Sequence, residues 1–299
     1  MSHVLIVPPS LDEHTFEQLL EQLAPLPPDA KLLVDARHVR WATPYGLTAL
    51  LTLAQTREER PALAVPELEE TLSYWRRAAF FHYAEGLYDL RGAYPKRKET
   101  GESSVLLEIT PVAGSDDVHG VVGRVQEGAQ RILHNEMHLE SKAILGFTMT
   151  LSEICQNIIE HAGQGGWVAV QSYRWTKRLG RRVVVIAVCD AGLGFRRSLE
   201  TAPGHLPTTR WDDAAALEEA VIRGVSRFRE RGRGHGLAGA RNYVGRWNGK
   251  LSVRSGTARI GIVPDWDDDP PLVEGLPQFP GAQVQVIIPE AMDGGSTER

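Results

Sequence analysis

WVAVQSYRWTKRLGRRVVVIAVCDAGLGF, residues 167–195, holds two apolar runs either side of a polar break, and the second run stops on Asp190-x-Gly192-x-Gly194. Its β-branched content predicts two strands, 167–175 and 181–191, joined as a hairpin. Asp190 falls at the strand end, where a carboxylate can accept a hydrogen bond from an exocyclic amine. Gly192 and Gly194 let the backbone bend and come close to a flat ligand. The same five residues also suit a plain turn, because Asp and Gly dominate turns.

Upstream lies LSEICQNIIEHAG, residues 151–163. Glu153, Asn157 and His161 are four apart and share one helical face, with Leu151, Ile154, Ile158 and Ile159 roughly opposite. A carboxylate and an amide one turn apart can serve a metal-bound phosphate: the amide oxygen takes the cation and the carboxylate orients water. A solvated polar stripe on an amphipathic helix is the plain alternative. Downstream, RERGRGHGLAGARNYV (229–244) brings Gly232, Gly234 and Gly236 to a helix start near Leu237, with Arg229, Arg231 and Arg233 beside them. Exposed N–H groups and the positive end of a helix there suit phosphate oxygens. The loop is neither a P-loop nor a dinucleotide fingerprint, since no Gly-Lys-Ser/Thr follows and no strand immediately precedes it.

Around these clusters the pattern is a strand at 105–110, helices near 117–135 and 140–162, the hairpin, a long irregular stretch, a helix at 237–247, and strands KLSVRS, TARIGIV and AQVQVIIP. That order predicts helices covering one face of a mixed sheet. The segment 264–281, acidic and proline-rich, reads as a surface excursion. GAYPKRKETGESS (92–104) is the clearest break, dividing a unit at 1–91 from one at 105–299. The first unit alternates strands at 4–7, 31–36 and 62–65 with helices at 12–24, 44–55 and 67–79, an α/β layer. Trp75, Phe80 and Phe81 are assigned to its core.

The chain of 299 residues has 42% hydrophobic and 24% charged content, that of a globular protein. No apolar run approaches the roughly 20 residues of a membrane-spanning helix, and the N-terminus lacks a secretory pattern. Cys155 and Cys189 sit in apolar runs, which argues against a disulfide framework and for a reducing cytoplasm. The net charge of −5 resides in residues 1–95, and Arg223–Arg254 is strongly basic. Those basic residues gather around one glycine loop rather than along a groove with interleaved aromatics, which favours a small phosphate compound over nucleic acid. His134 and His138 have zinc-compatible spacing but no third ligand nearby.

The three clusters, in this order and spacing, resemble the histidine-kinase-like ATPase family, which includes type II topoisomerase, chaperone and mismatch-repair ATPases and anti-sigma factor kinases. Glu153/Asn157, Asp190/Gly192/Gly194 and Gly234/Gly236/Leu237 carry the resemblance, and His161 matches the anti-sigma form of the helix motif. It covers roughly 105–289 and implies an α/β sandwich that binds ATP with Mg²⁺. By the resemblance, Asn157 takes Mg²⁺, Asp190 reads the adenine amino group, and Gly192 and Gly194 line the base. Glu153 is the general base, 195–233 the lid, and Arg231, Arg233 and the 234–237 backbone meet phosphate. Family members often carry Gly-Thr on the last strand; here it is Gly281-Ala282, so a polar contact to the base is expected to be missing.

Residues 32–54, LLVDARHVRWATPYGLTALLTLA, resemble the STAS domain of anti-sigma factor antagonists. Such domains often start the helix with Asp-Ser-Ser-Gly-Leu, the second serine being phosphorylated by a partner kinase. Here Tyr45 stands at that position before Gly46-Leu47, and Thr43 reads as a helix N-cap. A docking or dimerisation module is the favoured reading of this half. Together the two resemblances imply a cytoplasmic, partner-switching signalling regulator. Its partners would be a sigma factor or STAS-type antagonist and a second copy of itself, with no membrane association. It would act as a serine/threonine kinase or slow ATPase; the alternative is a non-catalytic ATP/ADP-sensing module or scaffold.

Overall fold

The computed structural model describes residues 2–94, 105–129, 141–157, 165–176, 179–201, 211–225 and 236–290. The N-terminal part runs β1 (His3–Ile6), β2 (Ser10–Leu11), α1 (Glu13–Leu23), β3 (Leu32–Asp35), β4 (Trp41–Ala42), α2 (Pro44–Gln55), β5 (Ala62–Ala64), α3 (Glu69–Arg77), α4 (Phe80–Leu87) and β6 (Asp89–Arg91). β1-β3-β5-β6 form one sheet whose neighbours are all parallel, as helical crossovers require. Asp12 caps α1 by accepting from the His14 and Thr15 amides. Thr43 caps α2, its hydroxyl accepting from the Gly46 amide at 3.2 Å, and Pro44 takes the first helical position, where no N–H is needed. Trp75, Phe80 and Phe81 are buried and in ring contact, as the sequence predicts.

The C-terminal part follows as β7 (Val105–Val112), α5 (Ser115–Ala129), α6 (Ser141–Asn157), β8 (Gly166–Trp175), β9 (Arg181–Asp190), α7 (Gly194–Glu200), α8 (Asp213–Leu217) continuing into a π-turn (Glu218–Ile222), α9 (Gly236–Arg246), β10 (Lys250–Ile262) and β11 (Leu272–Pro289). The sheet order is β10-β11-β9-β8-β7, with every pair antiparallel. The expected 167–191 hairpin forms, Trp167 facing Cys189 and Trp175 facing Arg181 in register.

Three expectations fail. Among the described residues the sheet is not mixed, since every one of its strand pairs is antiparallel. The stretch after Asp190 is not a long irregular loop, because 194–200 and 213–222 are helical and bury Phe195, Leu199, Leu217 and Val221 in the core. Nor is 264–281 wholly a surface excursion. Its second half belongs to β11, and Leu272, Val273 and Glu274 pair with Ile260, Arg259 and Ala258 of one continuous β10.

Side chains alternate across this sheet with period two. On β9, Val184, Ile186 and Val188 enter the core beneath the helices, whereas Ala187 and Cys189 belong to the core of the N-terminal part. Helix α2 is why. Every residue from Pro44 to Ala54 is buried, since one side of the helix packs within its own layer and the other on β8 and β9. A helix without a polar face needs such a sandwich.

Charged pairs frame the contact. Arg254, 0% exposed, donates to Glu17 of α1 at 2.7 and 3.1 Å, and its guanidinium lies 5.7 Å from the Phe279 ring centroid. Lys250, 2% exposed, lies 2.7 Å from Glu13 and 3.2 Å from Asp267 and also bonds Asp269, which pairs with His14. Burial works against its charge, but those carboxylates hold the Lys250 ammonium above its ordinary range. Glu13, His14 and Asp269 bring one donor atom each within 4.8 Å of the others, and Lys250 supplies the positive charge there.

Candidate nucleotide site

The helix side of β9 ends at Asp190, 5% exposed. Its Oδ1 accepts the Gly192 amide at 2.8 Å, and the Ala282 amide also donates to the carboxylate. Among the described residues no cation pairs with it. Burial therefore dominates: it raises the carboxyl to about 7, against the opposing pull of the two amides. A buried carboxyl that titrates near neutrality and has spare acceptor capacity is an acceptor in waiting for an N–H donor.

The backbone around it is crowded. Gly281 has φ of +75°, and a Cβ there would sit 2.0 Å from the Asp190 carbonyl oxygen and 2.6 Å from Oδ1. Gly194 has φ of +72°, and a Cβ there would meet Ser255 Oγ at 2.7 Å. The glycine expected to approach a flat ligand is thus required at least as much by its neighbours on β10 and β11. Ser255 pairs with Ala282 in register, accepts the Phe195 amide at 3.1 Å and donates to the Gly281 carbonyl at 2.8 Å. Neither Ser255 nor the Ala282 amide was among the sequence-derived candidates. Their signal is the β10–β11 register, which no local pattern contains.

Helix α6 carries Glu153, half-buried, one turn before Asn157, whose backbone ends the helix and whose side chain lies outside the described residues. Leu151 and Ile154 are buried on the other side, as the amphipathic reading requires. Gly236 begins α9 and Leu237 is buried behind it. The two helices are held close: a Cβ on Gly146 of α6 would meet the Tyr243 ring of α9 at 2.2 Å. Arg241 of α9 donates to the Ile222 carbonyl at 2.9 Å, fixing the helix to the π-turn. Sequence candidates His161, Arg231, Arg233 and Gly234 lie outside the described residues, as do His134 and His138.

Asp190, Gly192, Gly194 and the ends of α6 and α9 thus come from one sheet and the helix layer on it, a carboxylate at one position and helix termini at others. No helix among the described residues is long and apolar enough to cross a membrane. No curated protein and no solved structure matches the chain. A family model described as histidine kinase-, DNA gyrase B-, and HSP90-like ATPase matches residues 143–290, from α6 to just past the end of β11. β7 and α5 precede the match, although β7 completes the same sheet. Residues 143–290 are therefore similar, from α6 through β11, to the ATPase domain of the histidine kinase-, DNA gyrase B- and HSP90-like family.

Proposed function

We propose that this chain is an ATP-dependent signalling regulator of the partner-switching kind. The buried Asp190 carboxyl, with no cation beside it among the described residues and two amides holding it in place, is the observation that carries the reading. In it Asp190 accepts from the adenine amino group, and Gly192 and Gly194 line the base. The Ala282 amide does part of what a threonine at that place would do, holding the carboxylate through backbone rather than hydroxyl. Asn157 would hold Mg²⁺, and Glu153 would assist attack on the terminal phosphate. Arg231, Arg233, Gly234, Gly236 and Leu237 form the phosphate end with the α9 N-terminus, and His161 completes the α6 motif. Mg²⁺ supplies neutralisation of phosphate charge. The fit of the donor set rests on chemistry: an amide oxygen and a carboxylate one helical turn apart are hard-cation and water-orienting groups.

The N-terminal part, residues 1–91, is proposed as a STAS-like unit, joined through 92–104 to the ATPase unit at 105–299. Its parallel sheet and the Thr43-Pro44-Tyr45-Gly46-Leu47 start of α2 support this. Tyr45 is 2% exposed, and burial, with Cys189 and Glu17 acting in the same direction, raises its hydroxyl well above the ordinary tyrosine range. Phosphoryl transfer to Tyr45 itself is thereby disfavoured. The acceptor is a hydroxyl of a separate protein, a STAS-type antagonist or sigma-factor regulator, and the working unit is a cytoplasmic homodimer. A second reading, ATP/ADP sensing without turnover, is favoured by the packing of α2 directly behind β9.

Calorimetry of Mg·ATP with the parent chain and with Asp190→Asn tests the site. Binding in the parent and at least a hundredfold loss in the variant is expected; equal affinity in both sinks the adenine assignment. Phosphate release that Glu153→Ala abolishes while binding persists identifies turnover, whereas no release from the parent with any partner identifies the sensor.

A further inference from the structure

Two short connections run from the N-terminal part to Asp190. In the first, Thr48 of α2 places its hydroxyl 3.2 Å from Cys189 Sγ, and Cys189 is the residue before Asp190 on the same strand. Because successive residues of a strand face opposite sides, whatever presses on Cys189 from behind moves the peptide that aims Asp190. In the second, Phe16 of α1 meets Phe279 edge-on with ring centroids 5.5 Å apart. Phe279 is 1% exposed, and two residues later Gly281 packs so tightly on Asp190 that no side chain fits between them. Gln283 ties both together, its Nε2 donating to the Asp190 carbonyl at 3.1 Å and to the Pro280 carbonyl at 2.9 Å. The same strap is anchored by Ser255 Oγ on the Gly281 carbonyl, and Ser255 directly follows Arg254, the partner of Glu17.

We propose that the docked N-terminal part positions Asp190, so that Thr48 and Phe16 are positioning residues for nucleotide and docking strengthens nucleotide binding. The proposal rests on the reading of Asp190 as the adenine acceptor. Close-packed interiors do not deform smoothly, so a change of contact at Cys189 and Phe279 is passed on to the next residues rather than absorbed. Linkage makes the effect mutual: whatever factor docking adds to nucleotide affinity, nucleotide adds to docking. The two states are the docked arrangement seen here and one in which α1 and α2 have lifted from the sheet.

The test uses the full chain and ADP, which is not turned over. Thr48→Met wedges a longer side chain against Cys189, Thr48→Ser keeps the hydroxyl, and Leu63→Ala weakens the N-terminal core from β5, which among the described residues pairs only with β3 and β6. ADP affinity is expected to fall about tenfold in Thr48→Met, roughly 1.4 kcal/mol, and to stay within twofold in Thr48→Ser and Leu63→Ala, although Leu63→Ala lowers the melting temperature at least as much. Hydrogen exchange of the Tyr45–Leu53 amides is expected to slow on adding ADP to the parent. Unchanged affinity in Thr48→Met, or an equal loss in Leu63→Ala, overturns the coupling while leaving the site intact. A parent chain that binds no ADP overturns the site reading itself, and the coupling with it.

Discussion

Asp190 makes the site sensitive to pH. Its carboxyl titrates near 7 instead of near 4, so the folded protein without nucleotide holds a proton there that the unfolded chain has released. The stabilisation linked to that proton is complete below about pH 4 and is lost as pH rises through about 7. Asp190→Asn, neutral at every pH, is therefore expected to unfold at higher denaturant than the parent at pH 8, by roughly 2–4 kcal/mol, and to match it only at about pH 3. Nucleotide affinity runs the other way, since the ionised carboxylate is the stronger acceptor. It is expected to fall by up to about tenfold per pH unit below 7. Calorimetry at pH 6 and 8 decides it; equal affinity at both means that Asp190 does not meet the base.

At the scale of elements, the α6–α9 contact holds the ends of the motif helices in fixed relation. Gly146→Ala places a methyl against the Tyr243 ring, and the helices must part or the ring must turn. The expected cost is about 1–3 kcal/mol, typical of overpacking, with nucleotide affinity reduced as well; trimming Tyr243 to leucine in the same chain should restore much of both. Thermal melts of the two single variants and the double variant measure it, and strict additivity would mean that the residues do not interact. This scale also separates what the sequence revealed from what it hid. The Glu153/Asn157 spacing and the strand ending on Asp190 were legible because their periods are local, and so was Thr43 as a cap. Helix α8 has a local sign of its own: Asp212 accepts the Ala215 amide at 2.9 Å, the N-cap pattern in WDDAAAL. Leu272–Phe279 does not read as a strand because Gly275 and Pro277 break the alternation that marks one. The uncharged sequence PYGLTALLTLAQ signals a helix covered on every side, yet nothing local tells which surface covers it. The crowding of Gly281 on Asp190 arises from residues 91 apart in sequence (281 − 190) and has no local sign.

Taken whole, the molecule packs its five-stranded sheet between two helical layers, one within the ATPase unit and one contributed by the N-terminal part. The second contact is held partly by buried charge. Arg254→Met strands the Glu17 carboxylate in the interior and is expected to cost about 3–5 kcal/mol. Replacing both partners by apolar residues should recover part of that, short of the whole because the guanidinium also satisfies the Gly256 and Pro277 carbonyls. Urea unfolding of the three variants checks it, and a double variant no better than Arg254→Met would show that the carbonyls, not Glu17, set the cost. The position of the two thiols has a consequence of another kind. Cys155 is shut in by the helix layer and Cys189 by α2, and burial pushes both up to about 12, so neither is an appreciable thiolate at neutral pH. An alkylating reagent can reach Cys189 only in molecules whose N-terminal part has lifted, and Cys155 only in those whose helix layer has opened. The chain thus carries two independent clocks, one for each side of its sheet. Under nucleotide the Cys189 clock is expected to slow by a larger factor than the Cys155 clock, as mass spectrometry of timed samples would read; equal slowing of both would mean that the sheet's two coverings open as one.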